Sequence, residues 1–313
     1  MGLFVVRRLL VTVPVMAIVA LFVFSLLYLA PGDPAAMIAG DQATPAAIES
    51  IRVSLGLDRP FAVRFFAWVL GVFHGDLGAS LFSGQPVAAM IVQRIPATLS
   101  LMGLTLLISV SVSIPLGVLA ASRRGGWLDR AVSAFAVFGF SLPVFVLGYI
   151  LAYVFALRLD WLPVQGYSPW SQGIGPYFAH LILPALTLSG GYVALITRVS
   201  RSAMLETLSQ DYIRTAKAKG LARPYVLFVH ALKNAALPIV SIIGIGVAAL
   251  IGGAVVTESV FGIPGLGRLI VDALLRRDYP IIQGVVLVSS FAYILVNLGV
   301  DIVYMLLDPR IKY

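Results

Sequence analysis

The chain has 313 residues, of which 60% are hydrophobic and 12% are Asp, Glu, Lys or Arg, about half the charged share of an ordinary globular domain. So apolar a chain cannot cover a soluble exterior, which excludes a soluble enzyme, a disordered polymer and a fibrous protein and leaves a multi-span membrane protein. Cysteine is absent, which excludes disulfides, thiolate metal sites and Cys nucleophiles, and the net charge is +8.

A spanning helix needs roughly 20 apolar residues, and six stretches qualify. The first, at about 9–30, follows Arg7 and Arg8. It is longer than the 7–15-residue core of a signal peptide, and Pro31-Gly32-Asp33-Pro34 lacks a small-x-small cleavage site, so it reads as a retained signal anchor. A long polar segment, 31–97, precedes the second span at about 98–121. The third, at about 131–157, carries Gly139 and Pro143, and the fourth, at about 178–197, carries Pro184 and the pair Gly190-Gly191. Such breaks are tolerated in a span where partner groups or a water-filled cavity satisfy the freed backbone, so Pro143, Pro184, Gly190 and Gly191 are candidates for the lining of a pathway. The fifth span, at about 235–257, places Gly244, Ala248 and Gly252 four apart, a stripe that lets another helix approach closely. The sixth is at about 281–307.

Orientation follows the basic residues. With the N-terminus inside, the 60 residues of the inner segments hold 14 Lys or Arg, and the 110 of the outer segments hold 8. Net charge is +10 inside and −1 outside, with Asp301 in the last span. The basic excess is a topology signal, and a nucleic-acid partner is not expected. Both termini are expected in the cytoplasm. The chain divides as an anchor helix with its outer loop (1–93), a transmembrane domain (94–307) and a short tail (308–313).

No Gly-x-x-x-x-Gly-Lys-Ser/Thr phosphate loop occurs, and His74, His180 and His230 lie far apart, in no metal-ligand spacing. Enzymatic chemistry is not expected in this chain. Energy for transport must come from a partner or from an ion gradient. Asn297 and Asp301 share one face of the last span and keep an ion-coupled carrier or channel open as an alternative, although Asp301 lies near the inner end, where a basic loop residue or water can reach it. His180, at the outer end of the fourth span, is expected to pack at the membrane interface.

The longest inner loop, 198–234, holds half of the inner basic residues. Its centre reads Asp211-Tyr212-Ile213-Arg214-Thr215-Ala216-Lys217-Ala218-Lys219-Gly220. Ser209 is placed as an N-cap, Asp211 in the first turn, Lys217 and Lys219 in the last turn, and Gly220 where a positive φ ends the helix. This predicts a short helix without a long apolar face, and a second short helix from about Arg223 to Lys233 with Pro224 early in it. The terminated helix favours a docking element for a cytoplasmic partner over a loop that only sets topology.

This segment resembles the Glu-Ala-Ala loop of type I ABC importer permeases, with Arg214-Thr215-Ala216 at the Glu-Ala-Ala position and Gly220 at the family's spacing. The later His230-Ala231-Leu232-Lys233-Asn234-Ala235 is similar to the dipeptide, oligopeptide and nickel branch. So are Pro31-Gly32-Asp33-Pro34, Leu55-Gly56-Leu57-Asp58-Arg59-Pro60, Gly75-Asp76-Leu77-Gly78-x-Ser80, Pro96-x-Thr98-Leu99 and Ser141-x-Pro143-x-Phe145. Glu258-x-x-Phe261-x-x-Pro264-Gly265-x-Gly267, Arg277-Asp278-x-Pro280 and Asp308-Pro309-Arg310 continue the likeness to the end of the chain. The long loop after the first span resembles that of the first, or B-type, permease subunit.

The resemblance implies an all-α polytopic fold of six transmembrane helices in a bacterial or archaeal inner membrane. It implies a homologous second permease, two cytoplasmic ATPase subunits and a periplasmic or lipid-tethered binding protein as partners. ATP and magnesium are then expected on the ATPases, with no cofactor, catalytic residue or metal in this chain. Asp211, Tyr212, Arg214, Thr215, Ala216, Lys217, Lys219 and Gly220 are expected to form the coupling contact. Glu258, Phe261, Pro264 and Gly265 are expected to build an outer gate or a dock for the binding protein. The cargo is expected to be a small peptide, with nickel, glutathione or an oligosaccharide as alternatives.

Overall fold

The computed structural model describes residues 2–29, 34–39, 44–54 and 56–307. Pro31-Gly32-Asp33, Leu55 and the 308–313 tail with Asp308-Pro309-Arg310 lie outside the described residues. Among the described residues β pairing is limited to one isolated bridge, Ala79 with Pro86. The rest of the regular structure is helical.

The chain divides into two compact units, residues 1–96 with 269–294, and residues 97–268 with 295–313. Each is assembled from two separate stretches of the sequence, because helices that adjoin within a unit come from distant parts of the chain.

The elements follow in order. Helix α1 is Gly2–Leu29, α2 is Pro34–Ala39, α3 is Pro45–Ser54 and α4 is Phe61–Phe73. Helix α5 is Val87–Ser122; its 36 residues extend about 54 Å at 1.5 Å each, well beyond a hydrocarbon core of about 30 Å. Helices α6 (Trp127–Ser141) and α7 (Val144–Leu151) follow, the latter continued by a π-helical segment Ala152–Arg158. Helix α8 is Ile174–Leu208 and α9 is Asp211–Ala218. A single turn, α10 (Arg223–Tyr225), runs through a π-helical segment Val226–Ala231 into α11, Leu232–Val260. Helices α12 (Leu266–Arg276) and α13 (Tyr279–Leu307) complete the chain.

Among the described residues five helical stretches are long and apolar enough to cross a membrane. The expected third span, 131–157, differs: it is a bent pair, Trp127–Ser141 and Val144–Arg158, turned by 101°. The cause is local. Pro143 has no N–H to continue the ladder, and its ring drives Leu142 out of the helical region to φ −83° and ψ 125°. The fourth span was expected to be interrupted as well, but α8 passes Pro184 and Gly190-Gly191 without a break. Pro184 is buried, and Gly190 sits where a Cβ would meet the Leu147 side chain at 2.9 Å, so its missing side chain admits α7 rather than breaking α8.

The second unit holds two cores. One gathers Leu101 from α5, Leu181, Leu183 and Leu188 from α8, Leu250 and Ala254 from α11, and Phe261 and Ile263 beyond it. The other lies at the opposite ends of these helices, where Val118 and Ala121 of α5 meet Met204 of α8, Val226 and Leu227 of the π segment, and Ile239 of α11. The small-residue stripe of α11 is divided in its use. A Cβ on Gly244 would collide with Val300 of α13, whereas Gly252 faces open space.

Candidate functional site

Helix α9 is short, and its own hydrogen bonds cannot hold eight residues in place. Packing does. Ile213 is 0% exposed and Ala216 is 7% exposed, and both are members of the core formed by the ends of α5, α8 and α11. The helix has no long apolar face, as expected, but a short one of two residues three apart suffices to anchor it. The remaining positions point outward, and Asp211, Tyr212, Arg214, Thr215, Lys217, Lys219 and Gly220 are exposed. Of the expected contact residues, Ala216 alone is buried, as part of the anchor.

The ends of α9 refine the sequence reading. Ser209 does not cap it; the Ser209 hydroxyl donates to the Glu206 carbonyl at 2.7 Å and closes α8 instead. Gln210 occupies the N-cap position in extended backbone without a side-chain cap bond. Asp211 lies in the first turn and accepts from Arg214 Nη1 at 3.1 Å; both side chains are highly exposed, so the pair is screened and remains free to exchange partners. Lys217 is in the last turn, and Gly220 adopts φ +78°, the left-handed conformation that ends the helix. Although Tyr212 is exposed, desolvation of its partly covered ring pushes the phenol up, and the Asn234 side chain opposes the shift.

The expected second short helix is not separate. Pro224 sits in the first turn, as a helix tolerates, but the segment from Arg223 runs on into α11 through the π-helical turns to form one apolar stretch, Arg223–Val260. The surface that carries α9 is thus continuous with a spanning helix. A partly buried ion pair braces the same end. Asp129 at the start of α6, 4% exposed, accepts a two-pronged contact from Arg201 of α8, through Nε and through Nη2 at 2.8 Å, and also the Gly125 N–H at 2.9 Å. Sequence reading assigned no role to this pair; the 72 residues between partners leave no local pattern to find.

The outer-segment residues form a closed corner. The Thr98 hydroxyl donates to Glu258 Oε1 at 2.6 Å and accepts the Leu266 N–H at 2.8 Å. Glu258 Oε2 accepts the Arg268 N–H at 3.0 Å. Leu266 and Arg268 are in the first turn of α12, so a Thr on α5 and a Glu on α11 cap that helix from outside, and the carboxylate faces its positive end. Gly265 and Gly267 lie where any Cβ would run into this carboxyl group or the Val255 backbone. Glu258 is 0% exposed and Phe261 is 2% exposed, and the Phe261 ring lies against Gly148 of α7. Gly265 is also buried and Pro264 is half-buried, whereas Pro143 is exposed at its bend and Gly191 is half-buried.

In the first unit two separate motifs meet. Asp278 accepts the Ser80 hydroxyl at 2.5 Å and the Leu81 N–H at 3.2 Å, so Gly75-Asp76-Leu77-Gly78-x-Ser80 closes onto Arg277-Asp278-x-Pro280.

Residues 1–102 match the N-terminal family of binding-protein-dependent transport system membrane components, and residues 113–313 match the family described as binding-protein-dependent transport system inner membrane component. The chain belongs to this family. It is 54% identical over 313 residues to a probable peptide ABC transporter permease protein of Sinorhizobium fredii, covering 100% of both chains. It is 43% identical over 309 residues to a putative peptide transport system permease protein of Brucella abortus, covering 99% of this chain and 98% of that one. It is 41% identical over 310 residues, 99% of each chain, to the glutathione transport system permease protein GsiC of Salmonella choleraesuis. Among solved structures, an inward-facing form of the MetNI methionine ABC transporter matches with a TM-score of 0.60 at 18% identity, over 70% of this chain and 96% of that one. The fold is that of an ABC importer permease, and the chain is a multi-pass membrane protein of the inner membrane.

Proposed function

We propose that this chain is the first, B-type, permease of an ATP-driven importer of di- and oligopeptides and forms half of the translocation pathway. Its partners are a homologous second permease, two cytoplasmic ATPases that bind ATP and magnesium, and a periplasmic or lipid-tethered binding protein. Both termini of the chain lie in the cytoplasm. The observation that carries the coupling role is α9: a charged helix held by two buried side chains against the ends of the spanning helices, its charged face open to a partner. Asp211, Tyr212, Arg214, Thr215, Lys217 and Lys219 make the contact with the ATPase, and Gly220 sets the turn behind them. Ala216, with Ile213, holds the helix down. Glu258, Phe261, Pro264 and Gly265 shape the outer end of the pathway by fixing the start of α12. Peptide cargo is supported by the names of the 54% and 43% identical relatives. The glutathione permease relative supports a second reading within the same chemistry, since glutathione is itself a small peptide.

The test is purification in mild detergent followed by mass spectrometry, together with uptake of a labelled tripeptide by cells carrying Gly220→Pro. Two ATPases and a second permease should accompany the chain. The variant should insert at normal abundance and lose ATP-dependent uptake, because proline cannot adopt φ +78°. A pure homo-oligomer that transports without ATP would overturn the importer, and intact uptake by the variant would overturn the role of this turn.

A further inference from the structure

The first unit contains a cavity of about 420 Å³ that the transport reading does not use. Its walls include Phe24 near the C-terminal end of α1, Arg59 of the turn before α4, Arg64 and Trp68 of α4, and Gln283 of α13. Among the described residues the charged lining has one sign: Arg59 and Arg64 line the cavity and no carboxylate does. Asp278, the nearest acid in sequence to the α13 wall, is engaged by Ser80 and Leu81.

The two arginines are held differently. Arg64 donates to the Tyr28 hydroxyl at 2.5 Å, and its guanidinium lies 5.8 Å from the Phe24 ring centre and 5.3 Å from that of Tyr28. Its plane is fixed by stacking while other N–H groups remain. Arg59 is exposed and makes no ion pair among the described residues. Gln283 supplies an independent sign of a ligand. It is 5% exposed, lines the cavity, and its amide nitrogen is buried with no hydrogen-bond partner. A buried donor left unpaired is disfavoured and is ordinarily satisfied by a partner.

The rest of the wall is apolar and aromatic and begins on α1, one of the membrane-crossing candidates. A small soluble anion would leave that part of the wall in contact with water. A phosphate ester attached to an apolar body would use all of it. We propose that this cavity holds the headgroup of an anionic phospholipid: phosphate oxygens accept from Arg59, Arg64 and the Gln283 amide, and the first acyl carbons lie against Phe24 and Trp68. A zwitterionic headgroup fits less well, because no lining residue among the described ones carries a carboxylate to pair its ammonium. The site anchors the first unit to the bilayer interface whatever the transported cargo is.

The test uses the full chain, purified with whatever subunits accompany it, incubated with equimolar phosphatidylglycerol and phosphatidylcholine and read by native mass spectrometry. Wild type should retain one phosphatidylglycerol per chain in about fivefold preference. Arg59→Gln and Gln283→Leu should each cut that preference by about threefold. Arg198→Gln, an exposed change on α8, should leave it intact. Thermal melting of each variant checks folding; if Gln283→Leu fails to fold, Arg59→Gln, whose side chain is exposed, carries the test. Equal retention of the two lipids, or wild-type retention by a folded Arg59→Gln, would overturn the proposal. Displacement of the lipid by millimolar glycerol 3-phosphate would assign the site to a free phosphate ester and overturn the lipid.

Discussion

Gly265→Ala adds one carbon to the corner where Glu258 caps α12. That Cβ would fall well under 3.0 Å from Cδ and both carboxylate oxygens of Glu258. The carboxylate has nowhere to retreat: it is fully buried, bonded to Thr98 at 2.6 Å and to the Arg268 N–H at 3.0 Å. Either α12 shifts or Glu258 gives up these bonds. A hydrogen bond to a charged group is worth about 1.5–3 kcal/mol, so losing one of the two and weakening the other destabilises by about 3 kcal/mol. That lowers the apparent melting temperature by about 6–12 °C, taking roughly 2–4 °C per kcal/mol. Gly252→Ala is the control, because no atom lies within 4 Å of its added carbon. Melting of the detergent-purified protein compares the two. A cycle with Glu258→Ala tests the cause: once the carboxyl group is gone, Gly265→Ala should add less than about 1 kcal/mol. If Gly265→Ala melts with Gly252→Ala, or if its effect is fully additive with Glu258→Ala, the cap is not what requires the glycine.

Ile213→Ala removes most of the anchor under α9 and should cost about 2–4 kcal/mol locally, seen as faster amide exchange across 211–218 with the spanning helices unchanged. Asp129→Asn leaves Arg201 without its charge partner; since the Arg201 side chain is 30% exposed, water offsets part of the loss, and abundance should fall modestly while the charge-swapped double variant recovers some of it. Pro143→Ala should let α6 and α7 straighten toward one helix, which a spin-label distance between 135 and 150 would report as a lengthening.

The spans were legible in the sequence because apolar runs of 20 or more residues have few other uses. The break at Pro143 was legible because proline acts on its own neighbours. The continuity of α8 through Pro184 and Gly190-Gly191 was not, since whether glycine breaks a helix or admits another depends on what lies across from it, here Leu147. The same holds for the capping corner. Pro96-x-Thr98-Leu99 and Glu258 through Gly267 stood out as separate motifs, but their meaning is one hydrogen-bond network across 160 residues. Ser80 and Asp278, 198 apart, repeat the lesson. A motif that caps its own helix can be read locally; a motif that caps another element cannot.

Ile213 and Ala216 show what this distinction means for coupling. Their side chains enter a core shared by the ends of α5 and α8 and by the continuous stretch from Arg223 into α11. Close-packed side chains transmit displacement rather than absorb it. A force applied to the charged face of α9 is therefore delivered to three spanning helices at once, and Arg201 with Asp129 extends it to the start of α6. A loop that touched an ATPase without this anchor would bend under the same force. Under the coupling role proposed above, the exposed residues of α9 would choose the partner, while the two buried ones would determine whether binding the partner moves the membrane domain. Substitutions among Arg214, Lys217 and Lys219 should weaken assembly in proportion to ionic strength. Ile213→Ala should leave assembly nearly intact and separate ATP hydrolysis from uptake.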